Sequence, residues 1–240
     1  MGANLVIVSG ALSRHELRYT PKGTPILEVS LVGKRAAGEH QVFFRADLTF
    51  YGKLAESWSE QVVEGAAYQA SGRLEYESWE GADGKKASRI RIVGDELHRL
   101  EGADVREESK GPVLHGADNR VFLMGGLITD PEMRQSAMRT PIAKVQLGFS
   151  TWDAAQSQAK QHYVELEAWG DAAKRFLELK KGAQVLVEGA LKTEVWEDLP
   201  AHTSGHPKDA PVTKNRRYKR LVEVYKVTPL VRLVGAAKAA

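Results

Sequence analysis

Apolar and polar residues alternate along this chain in short runs, the pattern of strands with one buried face. Ile26–Leu31 and Val42–Tyr51 alternate in this way, and Tyr68–Trp79 and Ile90–Val93 continue it. Lys53–Glu64 has helical composition and meets no Gly or Pro until Gly65 stops it; Asp171–Lys181 is closed by Gly182 in the same manner. Strand parity assigns Val42, Phe44, Ala46, Leu48 and Phe50 to a core face and leaves Phe43, Arg45, Asp47, Thr49 and Tyr51 outside. Further on, Val164, Leu166 and Ala168 point inward, whereas Tyr163, Glu165, Glu167 and Trp169 point outward. In the strand after that, Val185, Val187, Gly189 and Leu191 have core parity, with Glu188, Lys192 and Trp196 opposite, as Arg73, Glu75 and Trp79 are in the first half.

These parallels are part of an internal repeat. Asn4–Gly10 answers to Asn119–Gly125, Thr24-Pro25-Ile26 to Thr140-Pro141-Ile142, Gly52 to Gly170, and Gly72–Trp79 to Gly189–Trp196. The order is kept at nearly constant offset, so the chain reads as two domains of one fold, each a closed unit with its own core. Each copy gives three strands, one helix and two strands. That order suits a five-stranded Greek-key barrel of the OB type with the helix after the third strand, although the pattern alone also admits a small sandwich. The expected boundaries are 1–101 and 118–235 for the domains, Gly102–Ala117 for a charged linker, and 236–240 for a short tail.

Composition narrows the class. The 240 residues are 42% hydrophobic and 27% charged, which suits a folded chain and argues against extended disorder. There is no cysteine, so disulfides, thiolate metal sites and a Cys nucleophile are excluded. No apolar run is long enough to span a membrane as a helix, and Met1–Gly10 is too short for a signal peptide and lacks its basic flank, so a cytoplasmic protein is expected. The net charge of +3 separates into −2 for residues 1–110 and +5 for residues 111–240.

Three successive segments, Gly10–Gly23, Phe50–Glu56 and Gly72–Trp79, closely resemble motifs of bacterial single-stranded DNA-binding proteins, and the second copy repeats them at Gly125–Arg134, Ala168–Gly170 and Gly189–Trp196. Two fused copies are similar to the Deinococcus/Thermus kind of this family. The resemblance implies all-β tandem OB-folds, single-stranded DNA as partner, no cofactor, no catalysis, and a homodimer presenting four OB domains. It also implies a disordered tail with an acidic, Phe-terminated tip that recruits repair enzymes. The sequence ends instead at Val234–Ala240, so recruitment through such a tip is not expected of it.

Outward parity gives the resemblance a physical test, because aromatics beside Lys and Arg on an outer sheet can stack any base and neutralise phosphate. The candidate stacking residues are Tyr51, Trp79, Tyr163, Trp169 and Trp196 by parity, with Trp152 added by the resemblance, since it precedes a polar loop at a position where the family often has a DNA-contacting Trp. Trp58 sits within a helix close to the position equivalent to Phe176, and is read as packing. Candidate phosphate contacts are Arg14, Arg18, Lys34, Arg35, Arg45, Arg73, Lys85, Lys86, Arg89 and Arg91 in the first copy, with Arg134, Lys192, Lys214, Arg216 and Arg217 in the second. The basic run Lys208–Arg220 lies where a long loop joins the last two strands, and resembles a clamp. The first copy has a shorter loop, Gly33–Gln41, with no Trp matching Trp152.

Other chemistry does not accumulate. His202 and His206 stand among Pro and Gly and not on one helical face, so a zinc site is not expected, and no phosphate-binding Gly-rich loop ending in Lys-Ser or Lys-Thr is present. The reading is sequence-independent coating of single-stranded DNA in replication, recombination and repair. A structural OB protein working through protein contacts, or an RNA-binding chaperone, would use the same barrels.

Overall fold

Strands that bury at least one face against a common core close into a pair of barrels. The computed structural model describes residues 2–80, 84, 86–153, 157–198 and 215–230, without the side chains of 86, 87, 153, 195–198 and 215–218. The first barrel is built from β1 (Asn4–Tyr19), β2 (Pro25–Ala37), β3 (His40–Tyr51), α1 (Gly52–Ser59), β4 (Ala67–Glu80) and β5 (Lys86–Arg99). β1 pairs with β2, β2 with β3, β3 with β5 in parallel, β5 with β4, and β4 returns to β1, which closes the ring. This is the OB order that the repeat predicts.

Two short strands follow, β6 (Val105–Glu108) and β7 (Gly111–His115), and then the second barrel: β8 (Asn119–Leu127), β9 (Glu132–Gln135), β10 (Pro141–Asp153), β11 (Gln158–Trp169), α2 (Gly170–Lys174), β12 (Gln184–Asp198) and β13 (Asn215–Pro229). β8 pairs with β10 and β12, β10 with β11, β11 with β13 in parallel, and β13 with β12, closing the second ring. β8 and β9 together occupy the place of the single long β1; Pro131 between them has no N–H to give a ladder.

The same local devices recur in both copies. The Asn4 side-chain amide donates to the Leu74 carbonyl and its oxygen accepts from the Leu74 N–H, both at 2.9 Å; Asn119 does the same with Leu191. Gly72 and Gly189 sit where a strand bends against its neighbour, and a Cβ there would lie 2.3 Å from the Val93 carbonyl oxygen and 2.2 Å from that of Glu223. Only glycine permits that approach. Phe176, fully buried, and Trp58, partly buried against the core, both pack as expected.

Several expectations change. The helices are shorter than predicted: α1 ends at Ser59, and α2 gives way to a 3-10 turn at Arg175–Glu178. The stretch Gly33–Gln41 is not a loop, because β2 and β3 pair out to Ala37 and His40 around a tight turn at Gly38, whose φ is +62°. That extension carries β3 past the barrel and leaves Val42, expected in the core, 39% exposed. Leu191 is likewise only partly buried. The charged stretch Gly102–Ala117 is folded: β6 and β7 form a hairpin, β7 pairs with β2 in parallel, and Val113 and Leu114 are buried. Residues 236–240 lie outside the described residues.

The barrels share one sheet. β1 pairs antiparallel with β8 from Asn4 opposite Leu123 to Val8 opposite Asn119, so the strands form one 13-stranded sheet. The buried core runs through both, with Val6 and Val121 at the join.

Candidate nucleic-acid interface

Outward-facing positions of β3, β4, β5, β11 and β12 place aromatic rings beside cations. On the first barrel the Arg91 guanidinium stands 5.4 Å from the centre of the half-buried Tyr51 ring, and that of Arg89 stands 5.8 Å from the Trp79 ring. On the second, the Lys192 ammonium lies 5.9 Å from the Trp169 ring. Trp79, Tyr163 and Trp169 are exposed, as parity predicts for rings on an outer sheet face, and Trp152 is exposed as well. Phe43, beside Arg45 in β3, is 50% exposed and belongs with them, although its parity alone did not make it a candidate. Trp196 lies in β12, and its side chain is outside the described residues.

The basic candidates are held by carboxylates. Arg14 pairs with Glu16, Arg18 with Glu28 at 2.8 Å, Arg45 with Asp47 at 2.9 Å, Arg73 with Asp95 at 2.7 Å, Arg89 with Glu77 at 2.9 Å and Arg134 with Glu132 at 3.0 Å. Lys34 reaches Glu108 of the β6–β7 hairpin at 2.6 Å. Lys192 reaches Glu167 at 2.6 Å. Arg35 is not on an open face: it is buried, pairs with Glu223 of the second barrel at 2.5 Å, and lies 5.3 Å from the Tyr225 ring. Burial, against the nearby Arg35 charge, pushes the Tyr225 hydroxyl up to about 12. Lys85 and Lys214 fall outside the described residues, as do the side chains of Lys86, Arg216 and Arg217.

Two carboxylates are unusually enclosed for an outer face. Burial opposes ionisation of Glu167, but the Lys192 ammonium, the Trp169 indole N–H at 2.9 Å and the Lys144 ammonium outweigh it and bring its carboxyl down to about 2. Burial also opposes ionisation of Glu75, and Lys160 and Arg91 outweigh it. Lys160 belongs to the second barrel and Glu75 to the first, with 3.1 Å between them.

That bridge is part of a polar seam. The Tyr76 N–H donates to Nδ1 of His162 at 2.9 Å, and the Tyr76 ring meets the Tyr163 ring edge-on at 5.7 Å. Arg220 of β13 pairs with Asp47 of β3 and donates to the Ile90 carbonyl at 3.1 Å. On Asp47 burial is again outweighed, here by Arg220, Ser30 and Arg45, and its carboxyl lies below its usual range. Beside the seam runs a groove of about 1420 Å³ whose walls include Phe43, Arg45, Arg91, Tyr163, Lys192 and Arg220. A cleft of about 710 Å³ opens where Trp79 and Arg89 face Lys160 and Tyr163. In the sequence Arg91 and Arg220 stand only among many basic residues, and Lys160, Tyr76 and His162 carry no signal of their own. Nothing in a linear pattern joins positions so far apart.

No group of three or more His, Asp or Glu able to hold a metal occurs among the described residues, and no helix among them is long and apolar enough to cross a membrane. What the arrangement offers is a surface of flat rings, three of which, Tyr51, Trp79 and Trp169, have a carboxylate-held cation at the face.

The model of the single-strand binding protein family matches residues 3–100 and 118–204, one segment for each copy. The single-stranded DNA-binding protein of Thermus thermophilus is 37% identical over 205 residues, covering 81% of this chain and 77% of the relative. That of Deinococcus radiodurans is 30% identical over 248 residues, covering 98% and 78%. The crystal structure of the wild-type single-stranded DNA binding protein from Thermus aquaticus superposes with a TM-score of 0.74 at 28% identity, covering 100% of this chain and 97% of that one.

Proposed function

As this chain belongs to the single-strand binding protein family, and so binds single-stranded DNA without being an enzyme, we propose that it does so over the outer faces of both barrels, indifferently to base sequence. One observation carries this reading. Three rings, Tyr51, Trp79 and Trp169, stand on outer strands with Arg91, Arg89 and Lys192 at their faces, so each can hold a base while its cation meets the adjoining phosphate. Stacking of this kind is worth about 1–3 kcal/mol per base, a magnitude drawn from OB-fold strand binders, this family among them.

Coating would protect single strands exposed in replication, recombination and repair, in the cytoplasm. Residues 1–101 and 118–235 act as the two binding units, with the 102–117 hairpin riding on the first. A homodimer would present four barrels. The net charge of +5 on residues 111–240 gives the second barrel the larger share of the electrostatic attraction.

The test is quenching of tryptophan fluorescence on titration with poly-dT, poly-U and duplex DNA at two salt concentrations. Strong, salt-dependent quenching by poly-dT and little by duplex is expected. Equal or better response to poly-U would favour RNA as the natural partner, and weak response to all three would remove the reading.

A further inference from the structure

We infer that the cleft between the barrels is a single nucleotide-binding site built jointly by both, at the point where a bound strand crosses from one barrel to the other. This rests on the proposal that the outer faces bind single-stranded DNA, and it adds where the strand passes. The first barrel supplies Trp79 and Arg89 from the β4–β5 arm, and the second supplies Lys160, Gln161 and Tyr163 from β11. Each component of a nucleotide has a counterpart. Trp79 and Tyr163, 47% and 40% exposed, offer ring faces for a base. Gln161 and Ser78 offer an amide and a hydroxyl to its polar edge, and Arg89 and Lys160 offer charge to its phosphate. The volume of about 710 Å³ falls within the ~300–1,000 Å³ typical of small-molecule sites.

The two walls are held at fixed separation. The Tyr76 N–H bond to His162 lies directly behind the cleft, the Tyr76 and Tyr163 rings touch edge to face, and Lys160 bridges to Glu75. The β1–β8 ladder fixes the barrels around them. Each carboxylate partner of the two cations, Glu77 for Arg89 and Glu75 for Lys160, belongs to β4, so a phosphate entering the cleft competes with the first barrel for a cation from each side. A site assembled in this way makes its two halves interdependent: a base stacked against Trp79 is held in place by Tyr163, and losing either wall releases it.

The experiment is a double-mutant cycle in the full chain, with a short oligothymidylate as probe. Trp79→Ala and Tyr163→Ala each weaken binding about tenfold by loss of stacking, and the double variant weakens it by little more than either alone. Trp169→Ala is the control, because Trp169 lies six positions along β11 from Tyr163, about 20 Å away, and its loss should multiply with that of Trp79. If the Trp79 and Tyr163 losses also multiply, the joint site is overturned while stacking on the outer faces stands. If none of the three substitutions weakens binding, stacking itself falls. Trp79→Phe with Tyr163→Phe keeps both rings and should retain near-parental affinity; a full loss there, with the fold intact by circular dichroism, would also overturn the joint site.

Discussion

The backbone N–H of Tyr76 on the first barrel donates to Nδ1 of His162 on the second, across 2.9 Å. This leaves Nε2 to carry the imidazole proton, which it shares with the Thr151 hydroxyl at 2.7 Å, while the ring stacks on Phe149 at 5.3 Å. Burial, the largest influence, holds the pKa of His162 below its ordinary 6.5, and Glu75 only partly opposes this. A proton added at Nδ1 would abolish the contact. The unfolded chain binds that proton at about pH 6.5 and the folded chain only at lower pH, so the stabilisation is complete above 6.5 and declines on acidification below it. His162→Ala should cost about 1–3 kcal/mol at pH 8, because the Tyr76 N–H is left without a partner. It should also flatten the fall in stability between pH 7 and pH 5; urea unfolding at several pH values reads both.

Glu167 gives a second acid-dependent contribution in a separate window. Its carboxyl ionises at about 2 against an ordinary 4.5, so the contribution is present above 4.5 and is lost as the pH falls towards 2. Glu167→Gln removes the charge that Lys192 and Lys144 hold. The variant should be less stable than the parent at neutral pH and lose less between pH 4.5 and 2.5. Thermal unfolding across that range would show the two curves converging.

Phe43 is an exposed ring that parity alone did not single out. It stands half-exposed beside Arg45 on the wall of the larger groove, without a buried role that would explain an apolar residue there. Phe43→Ala should weaken oligothymidylate binding by about 1–3 kcal/mol and leave the unfolding midpoint nearly unchanged. An unchanged affinity in fluorescence titration would remove Phe43 from the binding face.

The carboxylates that neutralise the outer cations also set the salt response. A phosphate meeting Arg89 or Arg91 must displace Glu77, which lies 2.9 Å from one and 2.8 Å from the other. The Glu77–Arg89 pair lies at the surface and is worth ~0–1 kcal/mol, so Glu77→Gln should tighten binding by up to about fivefold. It should also steepen the dependence on salt, since more counterions are then released from DNA. Titrations at three salt concentrations decide it; a shallower slope in the variant would contradict the argument.

The order of elements and the outward rings were legible in the sequence because both follow from period-two alternation, and the repeat stated each feature twice. Trp79, Tyr163 and Trp169 are exposed where parity puts them. The seam was illegible, since its contacts join positions 86, 85 and 173 apart in Tyr76–His162, Glu75–Lys160 and Asp47–Arg220. Arg35 looked like any solvated cation until the fold set Glu223 and Tyr225 over it. The hairpin within Gly102–Ala117 escaped notice because only Val113 and Leu114 of its strands are buried, too few to raise an apolar run above its charged neighbours.

In the β1–β8 ladder Val6 faces its own repeat counterpart Val121, and Asn4 faces Leu123 just as Asn119 faces Val8. The pairing is that of a two-fold dimer written into one polypeptide. In a true homodimer every substitution at the axis appears twice, and a change that helps on one side must be tolerated on the other. Here the register of the repeat puts Phe44 where the mirrored His162 would stand and Thr193 where the mirrored Tyr76 would stand, so the imidazole contact exists on one side alone. Covalent fusion thus frees each barrel to specialise against its twin.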